Sequence, residues 1–232
     1  MHHVSLHPRR ALVLVLSAMT FLPSAASAAT YGGRAYNVLI NLPTLGVTNV
    51  LVSDTGGLPP PGGFLTSEVA NAEITGPPFL FIPIADVDVA TDSVEAGGGL
   101  AEGVSLTTGL SLLPNHACRI TASVVRSEAS SHCVWNNGSS YIANLTFGGL
   151  PVTVTGHKNQ TVTIPGVATL TINEQIESND PNTASITVNA LHLRLFTGDE
   201  VIVSHVETVV DQCPGPLPVQ PLSWGAIKAR LD

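Results

Sequence analysis

Two stretches decide the fold class: Ala168-Thr-Leu-Thr-Ile-Asn-Glu-Gln-Ile176 and Ala184-Ser-Ile-Thr-Val-Asn-Ala-Leu-His-Leu-Arg-Leu-Phe196. In the first, Ala168, Leu170, Ile172, Glu174 and Ile176 form one alternating set, and Thr169, Thr171, Asn173 and Gln175 the other. A period of two belongs to a strand, because successive side chains point to opposite faces. Glu174 falls in the apolar set, where an unpaired carboxylate would be costly. In the second stretch the apolar phase runs Ile186, Val188, Ala190 and then moves to Leu191, Leu193, Leu195. Such a one-residue shift signals a bulge or a strand buried on both faces.

The same reading extends along the chain. β-Branched residues and alternation mark strands at Ala35–Asn41, Val47–Ser53, Phe64–Ile74, Leu80–Val89, Gly103–Leu112, Arg119–Ser127, Tyr141–Phe147, Val152–Val154, Gln160–Ile164 and Glu200–Val210. Turn signals separate them: the Gly- and Pro-rich run from Gly56 to Gly63, Gly97-Gly98-Gly99, Asn136-Asn137-Gly138, Gly148-Gly149, Asn179-Asp180-Pro181 and Thr197-Gly198-Asp199. Short strands at regular spacing predict an all-β, antiparallel β-sandwich of ten or more strands. A barrel or a solenoid is the alternative arrangement. One domain is expected over residues 30–213. Beyond it, Pro214, Pro216, Pro218 and Pro221 favour extended backbone. An unattached end is expected there, with a short helix from Ser223 carrying Trp224, Ile227 and Leu231 as the alternative.

Composition fits this picture. Only 11% of the 232 residues are charged, against 44% hydrophobic and 5% aromatic, and 9 basic residues face 17 acidic ones. A polyanion-binding chain needs a basic face, so nucleic acid is not an expected partner. Met1–Ala29 reads as a secretory signal peptide: Arg9 and Arg10, the apolar run Ala11–Leu22, Pro23, then small residues, with cleavage after Ala28 or Ala29. The apolar run falls short of the roughly 20 residues that span a bilayer. The product is therefore expected outside the cytoplasm, secreted or periplasmic, without a transmembrane segment.

Export makes oxidised cysteines the default. Cys118 and Cys133 bracket a stretch that, if extended, separates them by about 45–50 Å, against a limit of about 7 Å between bridged Cα atoms. The expected bridge is Cys133–Cys213, with Cys118 a buried apolar residue. Zinc is disfavoured by the cysteine spacing.

Candidate chemistry is sparse. Asp54-Thr55-Gly56 after an apolar run has the look of an aspartic-protease loop, but it occurs once, and a turn after a strand explains it as well. Asp86, Asp88 and Asp92, with Glu95 and Glu102 nearby, supply hard oxygens of the kind calcium takes, without the order of a known calcium loop. His116, His132, His157, His192 and His205 are dispersed. The sequons at Asn137, Asn144 and Asn159 matter only in a eukaryotic secretory host.

One resemblance covers roughly Ile120–Cys213. The strings Ile142-Ala-Asn-Leu-Thr146, Gly149-Leu-Pro-Val152, Asn159-Gln-Thr-Val-Thr-Ile-Pro-Gly166, Leu170-Thr-Ile-Asn-Glu-Gln175, Ile186-Thr-Val-Asn-Ala-Leu-His192 and Asp199-Glu-Val-Ile-Val203 resemble, in order, the choice-of-anchor P family of exported bacterial proteins. The resemblance implies a bacterial surface or secreted destination, places Cys133 and Cys213 where the family's cysteines fall, and carries no agreed catalytic residues. It also sets Asn173, Glu174, Gln175, Asn189 and His192 in its most distinctive strings. These five are the candidate polar cluster, read first as a hydrogen-bonded structural group. The tail lacks the apolar helix and basic end of an anchored form. The leading expectation is a non-enzymatic β-domain with a cell-surface or matrix partner. A secreted hydrolase using Glu174 and His192 or Asp54, and a calcium-stabilised adhesion module, are the alternatives.

Overall fold

The computed structural model describes residues 29–76, 83–178 and 180–213. The signal-peptide reading up to Ala28, the Pro-rich tail and the Leu80–Ile82 part of one expected strand lie outside them. The described residues form thirteen strands: β1 (Thr30–Leu42), β2 (Val47–Asp54), β3 (Gly63–Thr75), β4 (Pro83–Gly97), β5 (Leu100–Leu112), β6 (Ile120–His132), β7 (Trp135–Ala143), β8 (Thr146–Phe147), β9 (Leu150–Pro151), β10 (Gln160–Ile164), β11 (Ala168–Glu177), β12 (Thr183–Leu195) and β13 (Glu200–Asp211). A short 3-10 turn, Pro43–Leu45, follows β1. Among the described residues no helix is long and apolar enough to cross a membrane.

The strands pair antiparallel into two sheets. One has the order β10-β11-β12-β13-β1-β2; the other runs β3-β4-β5-β6-β8-β9, with β7 also paired to β6. Neither closes into a barrel, so the architecture is the antiparallel sandwich, and barrel and solenoid are set aside. Val38, Ile40, Leu170, Ile172, Leu191 and Leu193 of the six-stranded sheet meet Ile84, Leu112, Ile120 and Val125 of the seven-stranded sheet in one cluster, each essentially inaccessible. Fully burying such side chains contributes about 1.5–3 kcal/mol apiece.

The phase shift seen in the sequence has a sheet-wide cause. Along one transverse line the pairing skips a residue on every strand of the six-stranded sheet from β2 to β11. The skipped residues are Ser53, Asn37, Ser204, Ala190 and Asn173, and alternate strands supply the left-handed backbone: Ser53 (φ 49°), Ser204 (φ 50°) and Asn173 (φ 53°). The seven-stranded sheet repeats this with Asn71 (φ 55°), Asp88, Gly109 (φ 61°), Ser123 and Asn144 (φ 56°). Gly and Asn suit this conformation, one without a Cβ and the other with a short amide that bonds locally, whereas Ser53 and Ser204 adopt it without that advantage. Crossing the line inverts which parity faces inward. On β13, Val201 and Val203 are buried on one side of it and Val206 and Val210 on the other; on β4, Ala85 and Val87 give way to Ala90, Asp92 and Val94. The core therefore stays continuous while the alternation breaks.

Three sequence readings need correction. Asn136-Asn137-Gly138 is not a turn: it lies inside β7, and the hairpin bends at Cys133-Val134 instead. Gly138 is there because a Cβ would sit 2.6 Å from Val188 of the opposite sheet. The expected single strand Tyr141–Phe147 is interrupted at Asn144, and Val152–Val154 is irregular. The disulfide Cys133–Cys213 is formed, with Cα atoms 5.3 Å apart, and joins the β6–β7 turn to the end of β13 across the two sheets.

Candidate functional site

The left-handed residue at Asn173 reassigns the sides of its neighbours. Glu174, placed by alternation in the apolar set, turns instead to the outward face of the six-stranded sheet, while Gln175 points inward to the carbonyl of Gly138 on β7 (2.8 Å). Register then puts five side chains in one row across five strands: Glu174 on β11, Asn189 on β12, His205 on β13, Tyr36 on β1 and Asp54 on β2. They are linked nearly end to end. His205 Nδ1 lies 2.7 Å from Asn189 Oδ1, and Asn189 Nδ2 donates to Glu174 Oε2 at 2.6 Å. The Tyr36 ring stacks on the His205 ring, with centroids 4.1 Å apart. Arg34 lies over the Tyr36 ring and donates two hydrogen bonds to Asp54, at 2.9 and 2.7 Å.

His192 joins this row from the far side of the crease. Its Nδ1 sits 2.6 Å from Glu174 Oε2, and its Nε2 faces Glu200 Oε2 at 3.3 Å. Arg194 reaches the second Glu174 oxygen at 3.4 Å. Asn189 and His192 are three residues apart, and a regular strand would put them on opposite faces. The crease brings both to one carboxylate.

Although the row lies on the outward face, Glu174, Asn189, His192, His205 and Tyr36 are all buried. The charges respond accordingly. The hydrogen bond from His192 holds the Glu174 carboxyl below the usual carboxylate range, against the opposing pull of burial, with Asn189 assisting. Burial lowers His205 to about 4, helped by the positive field of Arg34. A neutral His205 donates from Nδ1 to Asn189 Oδ1, which fixes the Asn189 amide to donate toward Glu174. Burial raises the Tyr36 phenol, and the Arg34 bond lowers Asp54.

Chemically, a carboxylate holding an imidazole is the base-and-orienter half of a nucleophilic triad. The other half is not assembled: among the described residues no hydroxyl or thiol bonds His192, whose second nitrogen, Nε2, is paired with Glu200. Both oxygens of Glu174 are taken up by Asn189, His192 and Arg194.

The structure thus brings together Glu174, Asn189 and His192 of the candidate cluster. Asn173 and Gln175 form a separate clamp: Gln175 Nε2 donates to Asn173 Oδ1 as well as to Gly138, and Asn159 Oδ1 accepts from the Gln175 backbone. The sequence marks His205 only as one of the dispersed histidines and does not single out Tyr36, Arg34, Arg194 or Glu200 at all. Their membership depends on β13 lying between β12 and β1, and no local pattern encodes that order.

The calcium candidates are not brought together. Asp86 and Asp88 are exposed, whereas Asp92 lies beyond the parity change, buried and bonded to Asn37 Nδ2 at 2.9 Å. Among the described residues no group of three or more His, Cys, Asp or Glu could hold a metal ion. Asp54-Thr55-Gly56 makes a turn in which Asp54 Oδ1 accepts from Gly56 N at 2.9 Å. Cys118 is buried beside His116 Nδ1 (2.9 Å), and burial raises its thiol.

The outward face of the seven-stranded sheet is more open. Three shallow depressions of 390, 290 and 360 Å³ adjoin there, the first and second meeting at Glu102 and the second and third at Val104. Phe64 and Tyr141, each 63% exposed, stand on β3 and β7 of that sheet. Compared with family models, curated proteins and solved structures, the chain matches none of them.

Proposed function

We propose that this chain is an exported bacterial β-sandwich with a structural or binding role at the cell surface or in the surrounding matrix, of the choice-of-anchor P type. One observation carries the reading. The Glu174–His192 pair, the arrangement closest to a catalytic group, has its carboxylate oxygens committed to residues of β12, and among the described residues no hydroxyl or thiol is hydrogen-bonded to its imidazole. It acts as a clamp that fixes β11 against β12 where the crease interrupts their backbone ladder. The bonded Cys133–Cys213 pair supports an oxidising destination, as does the signal-like start. The broad outward face of the seven-stranded sheet gives a binding role room. No calcium requirement and no nucleic-acid partner form part of this proposal.

The test is to assay the oxidised protein against chromogenic ester, glycoside and peptide substrates, beside Glu174→Gln and His192→Gln. The reading expects no turnover above buffer and lower melting temperatures for both variants. Turnover by the wild type that either substitution abolishes would overturn it in favour of a hydrolase.

A further inference from the structure

The inward face of the seven-stranded sheet carries one row unlike its neighbours. Register sets Ser67, Asp92, Ser105, Ser127 and Ser140 side by side across β3, β4, β5, β6 and β7. The row on one side is Val69, Ala90, Thr107, Val125 and Ile142; the row on the other is Leu65, Val94, Gly103, Ala129 and Gly138. Four serines and one aspartate thus run between two mainly apolar rows. The six-stranded sheet answers with polar groups of its own. Asn37 donates to Asp92 Oδ1 at 2.9 Å, Ser53 Oγ meets Ser67 Oγ at 3.1 Å, and Gln175 reaches the Gly138 carbonyl. Ser105 donates to the Tyr36 carbonyl at 3.2 Å.

Not every oxygen along this seam has a protein partner. Asp92 Oδ2, Ser127 Oγ, Ser140 Oγ and Gln175 Oε1 are all buried without one. Asp92 is only 3% exposed and Ser127 fully inaccessible. Buried polar atoms are satisfied almost without exception, and where protein groups do not suffice, ordered water does it. The geometry suits water. Hydroxyls at one register can bond directly where their rotamers converge, as Thr121 and Thr146 do at 2.7 Å. Those of Ser127 and Ser140 do not, and one water at about 2.8 Å from each can join two such groups on strands about 4.7–4.9 Å apart.

We propose that this row is an interior hydration file: a chain of bound water molecules between the sheets, running from the Asp92 carboxylate past Ser127 to Ser140 and Gln175. The row is serine because a hydroxyl binds such a water and a small side chain leaves it room. A metal ion is the competing occupant. The site disfavours it, because the Asn37 amide already directs an N–H at the single carboxylate, and one carboxylate among neutral hydroxyls is a poor calcium cage.

High-resolution crystal structures of the oxidised protein, grown in parallel with potassium and with rubidium salts, test this. The expected result is discrete water density about 2.6–3.2 Å from Asp92 Oδ2 and from the Ser127 and Ser140 hydroxyls, with no rubidium anomalous peak. Long-lived water cross-peaks to amides of β5, β6 and β7 by NMR are expected in solution. A seam without density, with rotamers that pair these oxygens directly, would overturn the proposal. A rubidium peak at Asp92 would overturn it in favour of a cation site.

Discussion

Replacing Asp92 by Asn removes a buried charge held between the sheets. Burial raises the Asp92 carboxyl to about 6, against the partial relief that nearby Ser105, Ser53 and Asn37 give its ionised form. The unfolded chain ionises near the ordinary value of 3.8. The native state therefore holds the proton more tightly, and ionising Asp92 costs the fold about 3 kcal/mol at 1.36 kcal/mol per pKa unit. The sign follows from linkage: the fold binds more protons than the unfolded chain between about pH 4 and 6, so this group lowers stability as pH rises through that window. Asn is neutral throughout and can still accept from Asn37. Asp92→Asn should thus be more stable than wild type at neutral pH, by up to about 3 kcal/mol, with the gap closing as pH falls from about 6 to 4. His205 works in the opposite sense over an overlapping range. Its ring titrates near 4 in the fold and near 6.5 when unfolded, so the stability it confers is lost on acidification. The wild type should therefore have a flattened pH profile in this window, and the variant a steeper fall on acidification. Urea denaturation across the range, with m-values compared, measures both curves. A variant less stable than wild type at neutral pH, or a gap that stays constant with pH, would refute the reasoning.

Other substitutions probe the frame. Replacing Cys133 and Cys213 by Ser opens a loop of 80 residues, which should cost about 4.5 kcal/mol on the chain-entropy estimate; a loss below about 1 kcal/mol by guanidinium denaturation would count against the bridge as a major constraint. Gly109→Ala forces a side chain onto left-handed backbone with its Cβ 1.9 Å from Asp88 Oδ2. A loss of about 2–4 kcal/mol is expected, whereas Gly57→Ala, which meets open space, should change stability by under about 1 kcal/mol.

How far the sequence could be read depended on whether the signal was local. Alternation in Ala168–Ile176 and the phase break between Val188 and Leu191 were visible, because a strand's own side chains carry them. The cause of the break was not, because Ala190 has ordinary backbone and the left-handed residues sit on its neighbours, Asn173 and Ser204. Glu174 was correctly singled out, but on the wrong side of the sheet, since one residue at positive φ reverses all parity beyond it. Asn136-Asn137-Gly138 misled because Asn and Gly favour turns, while here Gly138 answers a close approach between sheets. Cys133–Cys213 was accessible because an extended β6 keeps Cys118 and Cys133 apart. His205, Tyr36 and Arg34 were not, because strand order is a property of the whole fold.

The central claim is that Glu174 and His192 form a structural clamp rather than half of a catalytic site. A double-mutant cycle on unfolding free energy, with Glu174→Gln, His192→Gln and the pair together, tests it most directly. Removing one member of a buried hydrogen bond leaves its partner unsatisfied, which typically costs about 1–3 kcal/mol and more where the partner is a carboxylate. Each single variant should therefore be strongly destabilised and the double variant little worse than either, giving a coupling of about 2 kcal/mol or more. Single losses below about 0.5 kcal/mol that simply add would contradict the account.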